Sequence, residues 1–302
     1  MDSLQISFWR VKWIFILNKL NMKKILVPFD FSKEAEYALQ LAVQIAEESG
    51  SSINLMNVIE HPTPSSFKTM GVEDYDPMEN IYITKLIQKV KDGMEQIMSN
   101  EAYKSIDLNY KIVLGNAFNE LTEEIDTSKC NLVVMGTTGA SGLEEFFVGS
   151  NAEKIVRHAK CPVITLRNEV DLDDIEDIVF ATNLDLTTDK FISELTKLQE
   201  FFDAQLRLVR INTPAHFNSS REDIARMKQF ATRYKIKNFS YDVYNHTSEE
   251  EGIINYAEDI DAGIIAIGTH QRTGINHFFN GSLAEEVVNH AVRPVWTFNL
   301  EA

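Results

Sequence analysis

The segment of the sequence that is best suited to chemistry joins an apolar run to a helical pattern near the middle of the chain. It reads GTTG at 136–139 and, after nine further residues, Gly149-Ser150 at the opening of the helix. Glycines let the backbone turn tightly and bring its amide groups close to an anion. The helix N-terminus would add unpaired amides, and Ser150 a hydroxyl. The segment could therefore hold a phosphate chain, although a glycine-rich connection with only turn and cap duties fits the spacing equally well.

Asp30 is a second candidate, because it closely follows the apolar run 25–28. A carboxylate at the carboxyl end of a strand can accept hydrogen bonds from a ribose or an exocyclic amine, and it can also hold a metal ion. The alternative is a capping role for the helix that begins near Ser32, since Asp and Ser are both common at helix N-termini.

The elements that must position these residues are short apolar runs that alternate with longer stretches of helical spacing. The predicted strands are 25–28, 52–59, 108–114, 131–135 and 163–166, and the predicted helices are 32–49, 79–98, 119–126 and 151–159. Strands separated by helices require right-handed crossovers, which give a mainly parallel sheet with helices on both faces. The sequence therefore predicts an α/β fold.

The chain also contains an internal repeat. At an offset of 132 residues, the 21 residues from Gly149 share eleven identities with those from Gly281. A tandem duplication follows. We expect residues 1–21 to be a non-native or peripheral extension, 22–168 to form a first domain that carries the candidate phosphate segment, 169–174 to be an acidic linker, and 175–302 to form a degenerate second domain.

The second copy lacks two of the candidate residues. Gln271 stands where the first copy has the second glycine of the GTTG run, and Asn183 replaces the carboxylate of Asp30. A side chain in place of that glycine should block or reshape a phosphate site. We therefore expect a ligand in the first copy alone.

Composition excludes several classes of protein. The formal net charge is −16, so the overall field repels a nucleic acid backbone and an anionic membrane surface. The apolar stretch 6–17 is too short to span a bilayer and contains two basic residues, which favours translation from Met22 or a peripheral amphipathic extension. The two cysteines, Cys130 and Cys161, indicate a reducing cytoplasm. We interpret them as small residues in or near the core, although their proximity would allow a redox role.

Three segments together resemble the universal stress protein family: MKKILVPFD at 22–30, the glycine segment, and Cys161-Pro162-Val163. The resemblance covers both copies. ATP-binding members of that family carry G-x2-G-x9-G-[ST], which the first copy matches at every spacing. The resemblance implies two tandem five-stranded parallel sheets of the adenine nucleotide alpha hydrolase-like type, with strand order 3-2-1-4-5. Nucleotide would then lie across the carboxyl ends of strands 1 and 4.

The resemblance also implies the residues around the nucleotide. The expected neighbours of the adenosine are Pro28, Phe29, Asp30 and Val58, and those of the ribose and phosphates are Met135, Gly136, Thr138, Gly139, Gly149, Ser150 and Asn151. No Lys or Arg lies between Gly136 and Ser150, whereas Glu144 and Glu145 do. We therefore expect Mg²⁺ to supply positive charge, and we expect Lys154 and Arg157 to lie on a solvated helix face.

The function that follows is a nucleotide-responsive stress-response protein that binds ATP or a related adenine nucleotide, without catalytic residues or a dedicated metal site. One alternative is a slow Mg-dependent ATPase in which Asp30 holds Mg²⁺ and Glu144 orients water. The other is a nucleotide-independent dimerisation scaffold. We expect the last strands of the two copies, Val163–Leu166 and Val295–Phe298, to pair as an internal pseudo-dimer. The expected partners are the adenine nucleotide and, as a further option, a second copy of the chain in a homodimer. Neither a nucleic acid nor a membrane is expected as a partner.

Overall fold

The computed structural model describes residues 23–60, 77–137, 149–182, 188–269 and 281–301. The elements of the first copy are β1 (Lys24–Pro28), α1 (Lys33–Ser49), β2 (Ser52–Ile59), α2 (Pro77–Met98), β3 (Leu108–Leu114), α3 (Ala117–Ser128), β4 (Leu132–Gly136), α4 (Ser150–His158) and β5 (Val163–Leu166). Every strand and helix predicted for this copy is confirmed, with ends that differ by at most two residues. Residues 1–21 and the loop positions Thr138, Gly139, Glu144 and Glu145 lie outside the described residues.

Helix α1 begins and ends where local sequence predicts. The side chain of Ser32 accepts a hydrogen bond from the Ala35 amide at 3.2 Å, and Gly50 ends the helix with a left-handed φ of 70°. Its buried residues include Ala35, Ala38, Leu39 and Ala42, at helical spacing. One face of α1 therefore packs on the sheet, with its N-terminus just beyond the carboxyl end of β1.

The second copy repeats this plan. Its elements are β6 (Asp177–Ala181), α5 (Asp189–Phe202), β7 (Gln205–Asn212), α6 (Ser220–Tyr234), β8 (Phe239–Asn245), α7 (Glu249–Asp259), β9 (Ile264–Thr269), α8 (Gly281–His290) and β10 (Val295–Asn299). Between the copies, a short 3-10 helix at Leu172–Asp174 lies against α1, where the Leu172 amide donates to Gln44 Oε1 at 2.7 Å.

The ten strands form one continuous sheet in the order β3-β2-β1-β4-β5-β10-β9-β6-β7-β8. Each copy has the predicted order 3-2-1-4-5, and all pairs within a copy are parallel. The copies meet where β5 pairs antiparallel with β10, so the predicted pairing of the last strands is confirmed. The two five-stranded sheets that the resemblance implies are therefore the halves of one ten-stranded sheet, and all residues of β5 and β10 are buried in it.

The junction of the copies, which we call the seam, also involves side chains of α4. Arg157 Nε donates to Glu285 Oε1 of α8 at 2.7 Å. Thr269 Oγ1 and Asn299 Nδ2 donate to the carbonyl oxygens of Val156 and Arg157, each at 3.2 Å. The expected solvated position holds for Lys154, which is exposed, but is wrong for Arg157, because its side chain reaches across the seam to Glu285.

Two layers of apolar side chains, one on each face of the sheet, run through both copies. One layer joins Ile25 and Leu39 to Phe191 and Trp296, and the other joins Val133 to Ile265. The core is therefore continuous across the seam. None of the helices in the described part of the chain combines the length and apolar character needed to cross a bilayer.

Candidate functional site

A cavity of about 410 Å³ lies at the carboxyl ends of β1 and β4. Nine of the eleven predicted site residues line it: Pro28, Phe29, Asp30, Val58, Met135, Gly136, Gly149, Ser150 and Asn151. The other two, Thr138 and Gly139, lie outside the described residues. The structure thus brings together residues from β1, β2, β4 and the first turn of α4, which are far apart in sequence.

The cavity has further lining residues that sequence reasoning missed: Ser32, Ala35, Met56, Glu60, Ala117, Leu121, Thr137 and Ala152. Two of them carried a signal. Met56, Val58 and Glu60 alternate along and just past β2, so they share one face of the sheet, and the prediction of Val58 could have been extended to both neighbours. No local pattern marks Ala117 or Leu121, which reach the cavity only because α3 packs on this face.

Asp30 has a structural contact as well as a place on the cavity wall. Its Oδ1 accepts a hydrogen bond from the Ser32 amide at 3.0 Å, and Ser32 in turn caps α1. Between them, Phe31 has a positive φ of 65° and packs edge-to-face on Phe29, with ring centroids 5.2 Å apart. The turn after β1 therefore holds the Asp30 carboxyl group in a fixed place at the cavity mouth while the N-cap role itself belongs to Ser32.

Glu60 adds a second carboxylate to the wall. Its Oε1 accepts a hydrogen bond from the Ala117 amide at 2.9 Å, in the first turn of α3. This arrangement satisfies one of the amides that a helix N-terminus leaves without an internal partner. Among the described lining residues there is no Lys or Arg, so the charged groups on this wall are acidic.

Gly136 owes its lack of a side chain to packing. A Cβ at this position would lie 2.6 Å from Glu34 Cβ and 2.9 Å from the Glu34 carbonyl carbon, in the first turn of α1. We predicted that the glycine brings its backbone close to a ligand. The structure adds a packing role, in which the absence of a side chain lets α1 approach the end of β4, and the approach of this backbone to a ligand stays a prediction.

The two ends of the glycine segment are tied together. The Gly149 amide donates to the Thr137 carbonyl oxygen at 2.6 Å, so the described residues on either side of 138–148 lie in contact. The Gly149 amide therefore already donates a hydrogen bond within the protein. Helix α4 then begins at Ser150 without a side-chain cap on its first amides, and Ser150, Asn151 and Ala152 of this first turn line the cavity.

Thr137 carries a polar group that lacks a partner. Its side chain is 2% exposed, and its Oγ1 makes no hydrogen bond to any described residue. The equivalent residue of the second copy, Thr269, donates to the Val156 carbonyl oxygen instead. A buried hydroxyl without a partner costs free energy, so Thr137 is a candidate donor to a ligand in the cavity.

The corresponding segment of the second copy is only partly described. Asn183, Gln271 and the rest of 270–280 lie outside the described residues. Gly268, the counterpart of Gly136, faces the side chain of Leu300 rather than a helix backbone, with 3.0 Å from a built Cβ to Leu300 Cδ1. The surroundings of the two glycines therefore differ between the copies.

Comparisons with known proteins agree with this architecture. The model of the Universal stress protein family matches residues 21–167 and 175–299. A Staphylococcus aureus (strain USA300) protein whose name places it among the universal stress proteins is 30% identical over 152 residues, which cover 50% of this chain and 87% of that protein.

Two solved structures share the fold of the whole chain. A universal stress protein from Archaeoglobus fulgidus superposes with a TM-score of 0.70 at 15% identity and covers 93% of this chain and 99% of its own. A functionally unknown protein from Pseudomonas aeruginosa PAO1 gives a TM-score of 0.63 at 16% identity, with 94% and 95% covered. With a family match over both copies, the same strand order in each copy and the same fold in these structures, the chain belongs to the universal stress protein family.

Proposed function

We propose that the first copy binds ATP or a related adenine nucleotide in the cavity at the ends of β1 and β4, and that the protein acts as a nucleotide-responsive stress-response protein. The observation that carries this proposal is the convergence of nine predicted residues, from separate segments, on one cavity. The position of the cavity also supports the proposal, because ligands of open α/β sheets bind where the strand order reverses, here between β1 and β4.

The charge of the wall supports a metal-bound nucleotide. Asp30 and Glu60 are the charged residues among the described lining residues, and both are acidic. Amides of α4 and the hydroxyls of Thr137 and Ser150 can donate hydrogen bonds to phosphate oxygens but cannot neutralise a triphosphate. Mg²⁺ bound to the phosphates would supply that charge, so the binding of ATP should depend on the metal far more than the binding of adenosine does.

The seam provides a route from occupancy to a response. The first turn of α4 lines the cavity, and its last turn is held by Thr269, Asn299 and Glu285 of the second copy. A ligand that orders the first turn would bias the position of the whole nine-residue helix. We further propose domains at 22–168 and 175–302 joined by 169–174, a cytoplasmic location, and homodimer formation.

Calorimetry on the full chain with ATP and Mg²⁺ tests the assignment. We expect one nucleotide per chain. Gly139→Gln, which copies the second segment into the first, should abolish binding, and so should Asp30→Asn, which copies Asn183. Gln271→Gly is the matched control, and it should leave the stoichiometry at one because Asn183 still replaces the carboxylate.

Three results would contradict the proposal in different ways. No binding by the native chain would favour a nucleotide-independent scaffold. A stoichiometry of two, or binding that Gly139→Gln leaves intact, would place the site elsewhere. Phosphate release that rises with the concentration of the chain and disappears in Asp30→Asn would favour the ATPase alternative.

A further inference from the structure

The two cysteines lie side by side at the amino ends of two neighbouring strands. Cys130 precedes β4 and Cys161 precedes β5, and these strands pair in parallel. The Cys161 thiol donates a hydrogen bond to the sulfur of Cys130, whose own thiol donates to the Leu132 carbonyl oxygen at 3.0 Å. These are the only cysteines in the chain. The pair therefore sits at the end of the sheet opposite the nucleotide cavity.

Both thiols line a second cavity, of about 210 Å³, that lies at the seam. Part of its wall comes from the second copy, with Phe201 and Phe202 at the end of α5 and Trp296 and Phe298 on β10. Each side chain of the pair is less than a tenth exposed, at 8% for Cys130 and 6% for Cys161. A small molecule in this cavity would lie beside both cysteines, whereas their burial excludes contact with a protein partner.

Lysines surround the mouth of this seam cavity. Lys160 pairs with Asp126 at 2.6 Å, Lys197 pairs with Glu194 at 2.6 Å, and Lys190 lies 5.6 Å from the centroid of the Phe298 ring. Two of these ammonium groups are therefore paired with carboxylates, and the third lies over an aromatic ring.

The fold does not require these thiols. In the second copy, the equivalents of Cys130 and Cys161 are Ala262 and Arg293. Ala262 is fully buried, and Arg293 forms an ion pair with Asp261. The same strand ends therefore fold with a methyl group and an arginine, so packing alone does not explain two adjacent sulfur atoms in the first copy.

The environment makes the two thiols unequal. The hydrogen bond from Cys161 lowers the pKa of Cys130 below its usual range. The same bond, together with burial, raises the pKa of Cys161 well above its usual range. An attacking cysteine with a lowered pKa beside a protonated resolving cysteine is the arrangement of redox-reactive pairs.

We propose that Cys130 and Cys161 form a peroxide-reactive dithiol site, which small hydroperoxides reach through the seam cavity. The Cys130 thiolate attacks the outer oxygen of the hydroperoxide, the O–O bond breaks, and the leaving oxygen departs as water or an alcohol after taking a proton. Cys130 is then a sulfenic acid. Attack by the Cys161 sulfur forms the S–S bond, breaks the S–O bond and releases water, so the two electrons lost by the thiols reduce the peroxide.

The disulfide would join residues on either side of the candidate nucleotide segment. The chain between Cys130 and Cys161 contains β4, residues 138–148 and α4. Closing this ring restricts the unfolded chain in the region that carries the residues proposed above to bind phosphate. Oxidation at the seam would therefore act on the same β4–α4 unit as the nucleotide, from the opposite end of the sheet.

Mass spectrometry of the full chain tests the proposal. After hydrogen peroxide, native protein treated with N-ethylmaleimide under denaturing conditions should carry no maleimide, and dithiothreitol should restore two sites. In Cys161→Ser, dimedone should label Cys130. Cys130→Ala, which copies the second copy, should leave Cys161 unlabelled by dimedone. Circular dichroism before treatment checks the fold of each variant.

The native protein alone can overturn the proposal, so no variant has to fold for a decision. Two maleimide adducts after peroxide, equal in number to those of untreated protein, would show that the pair does not oxidise. Disulfides found only between chains would show that Cys130 and Cys161 of the same chain do not react with each other. Dimedone on Cys161 in Cys130→Ala, with none on Cys130 in Cys161→Ser, would reverse and so refute the assigned roles.

Discussion

Replacing Gly136 by alanine tests whether packing against α1, rather than ligand approach, fixes this position. The new Cβ would lie 2.6 Å from Glu34 Cβ and 2.9 Å from the Glu34 carbonyl carbon. Ordinary contacts between carbon atoms are about 3.5–4.0 Å, so the first turn of α1 must retreat by roughly 1 Å. Because the obstacle is partly backbone, no rotamer change relieves it.

The expected cost follows from this geometry. Overpacking of this kind costs about 1–3 kcal/mol, and about 2 kcal/mol corresponds to a melting temperature lower by about 4–8 °C for a domain of this size. Gly268→Ala is the matched control. Its Cβ would meet only the side-chain tip of Leu300, at 3.0 Å, and neither glycine has a positive φ. The lower unfolded-state entropy of alanine, worth about 0.4–1 kcal/mol, should make Gly268→Ala nearly neutral.

Calorimetric melting and ATP titration of both variants provide the test. Gly136→Ala should also weaken ATP binding, because Ser32 and Ala35 of the displaced region line the same cavity as Gly136. The packing argument is refuted if Gly136→Ala melts at the same temperature as Gly268→Ala, or above it. Lower stability with unchanged ATP binding would keep the packing argument but remove α1 from the site.

The remaining predictions concern the seam, the second copy and the cavity. Glu285→Gln should lower the free energy of unfolding in urea by about 1–2 kcal/mol, since the partly buried Arg157 loses a charged partner; no change would mean that the pair adds nothing. Burial, and then the hydrogen bond to Asp242, raise the pKa of Tyr256, so the stability that comes from the neutral phenol should be present below pH about 10 and decline at higher pH. Tyr256→Phe should remove this alkaline decline in urea titrations, and an unchanged decline would assign it to other groups. Thr137→Val should keep or raise the melting temperature of the ligand-free chain, because it removes a buried hydroxyl without a partner, but it should weaken ATP binding about threefold to tenfold through loss of one hydrogen bond to the ligand; loss of stability with full affinity would show that the hydroxyl serves the fold.

The elements were predictable because each carries a local signal. Ser32 and Gly50 mark the two ends of α1, and apolar runs mark each strand of the first copy. The start of α3 was placed too late, at residue 119. Its N-cap is Asn116, whose side chain accepts from the Asn119 amide at 3.2 Å, and an Asn just before an apolar pattern is a recognised cap signal.

The candidate site was predictable only as far as sequence motifs extend. Asp30 and the glycine segment identified the parts of the cavity wall that belong to β1, β4 and α4, and the family resemblance added Val58 of β2. Glu60 was not predictable in its role, because its contact with the Ala117 amide depends on how α3 packs on β2. The packing role of Gly136 likewise depends on Glu34, about a hundred residues earlier in the chain. Contacts of that kind are set by the tertiary fold and leave no periodic trace in the sequence.

The antiparallel seam can form only after both of its strands have been synthesised. Strand β5 ends at Leu166, and its partner β10 begins at Val295, 129 residues later. At roughly 5–20 residues per second, the ribosome needs about 6–26 s to deliver the partner strand. Throughout that interval the first copy presents an apolar strand edge, which is a template for the same edge on a nascent chain from a neighbouring ribosome. Closure within one chain competes with exchange between chains on a polysome, and the tether between the copies favours closure by raising the effective concentration of β10.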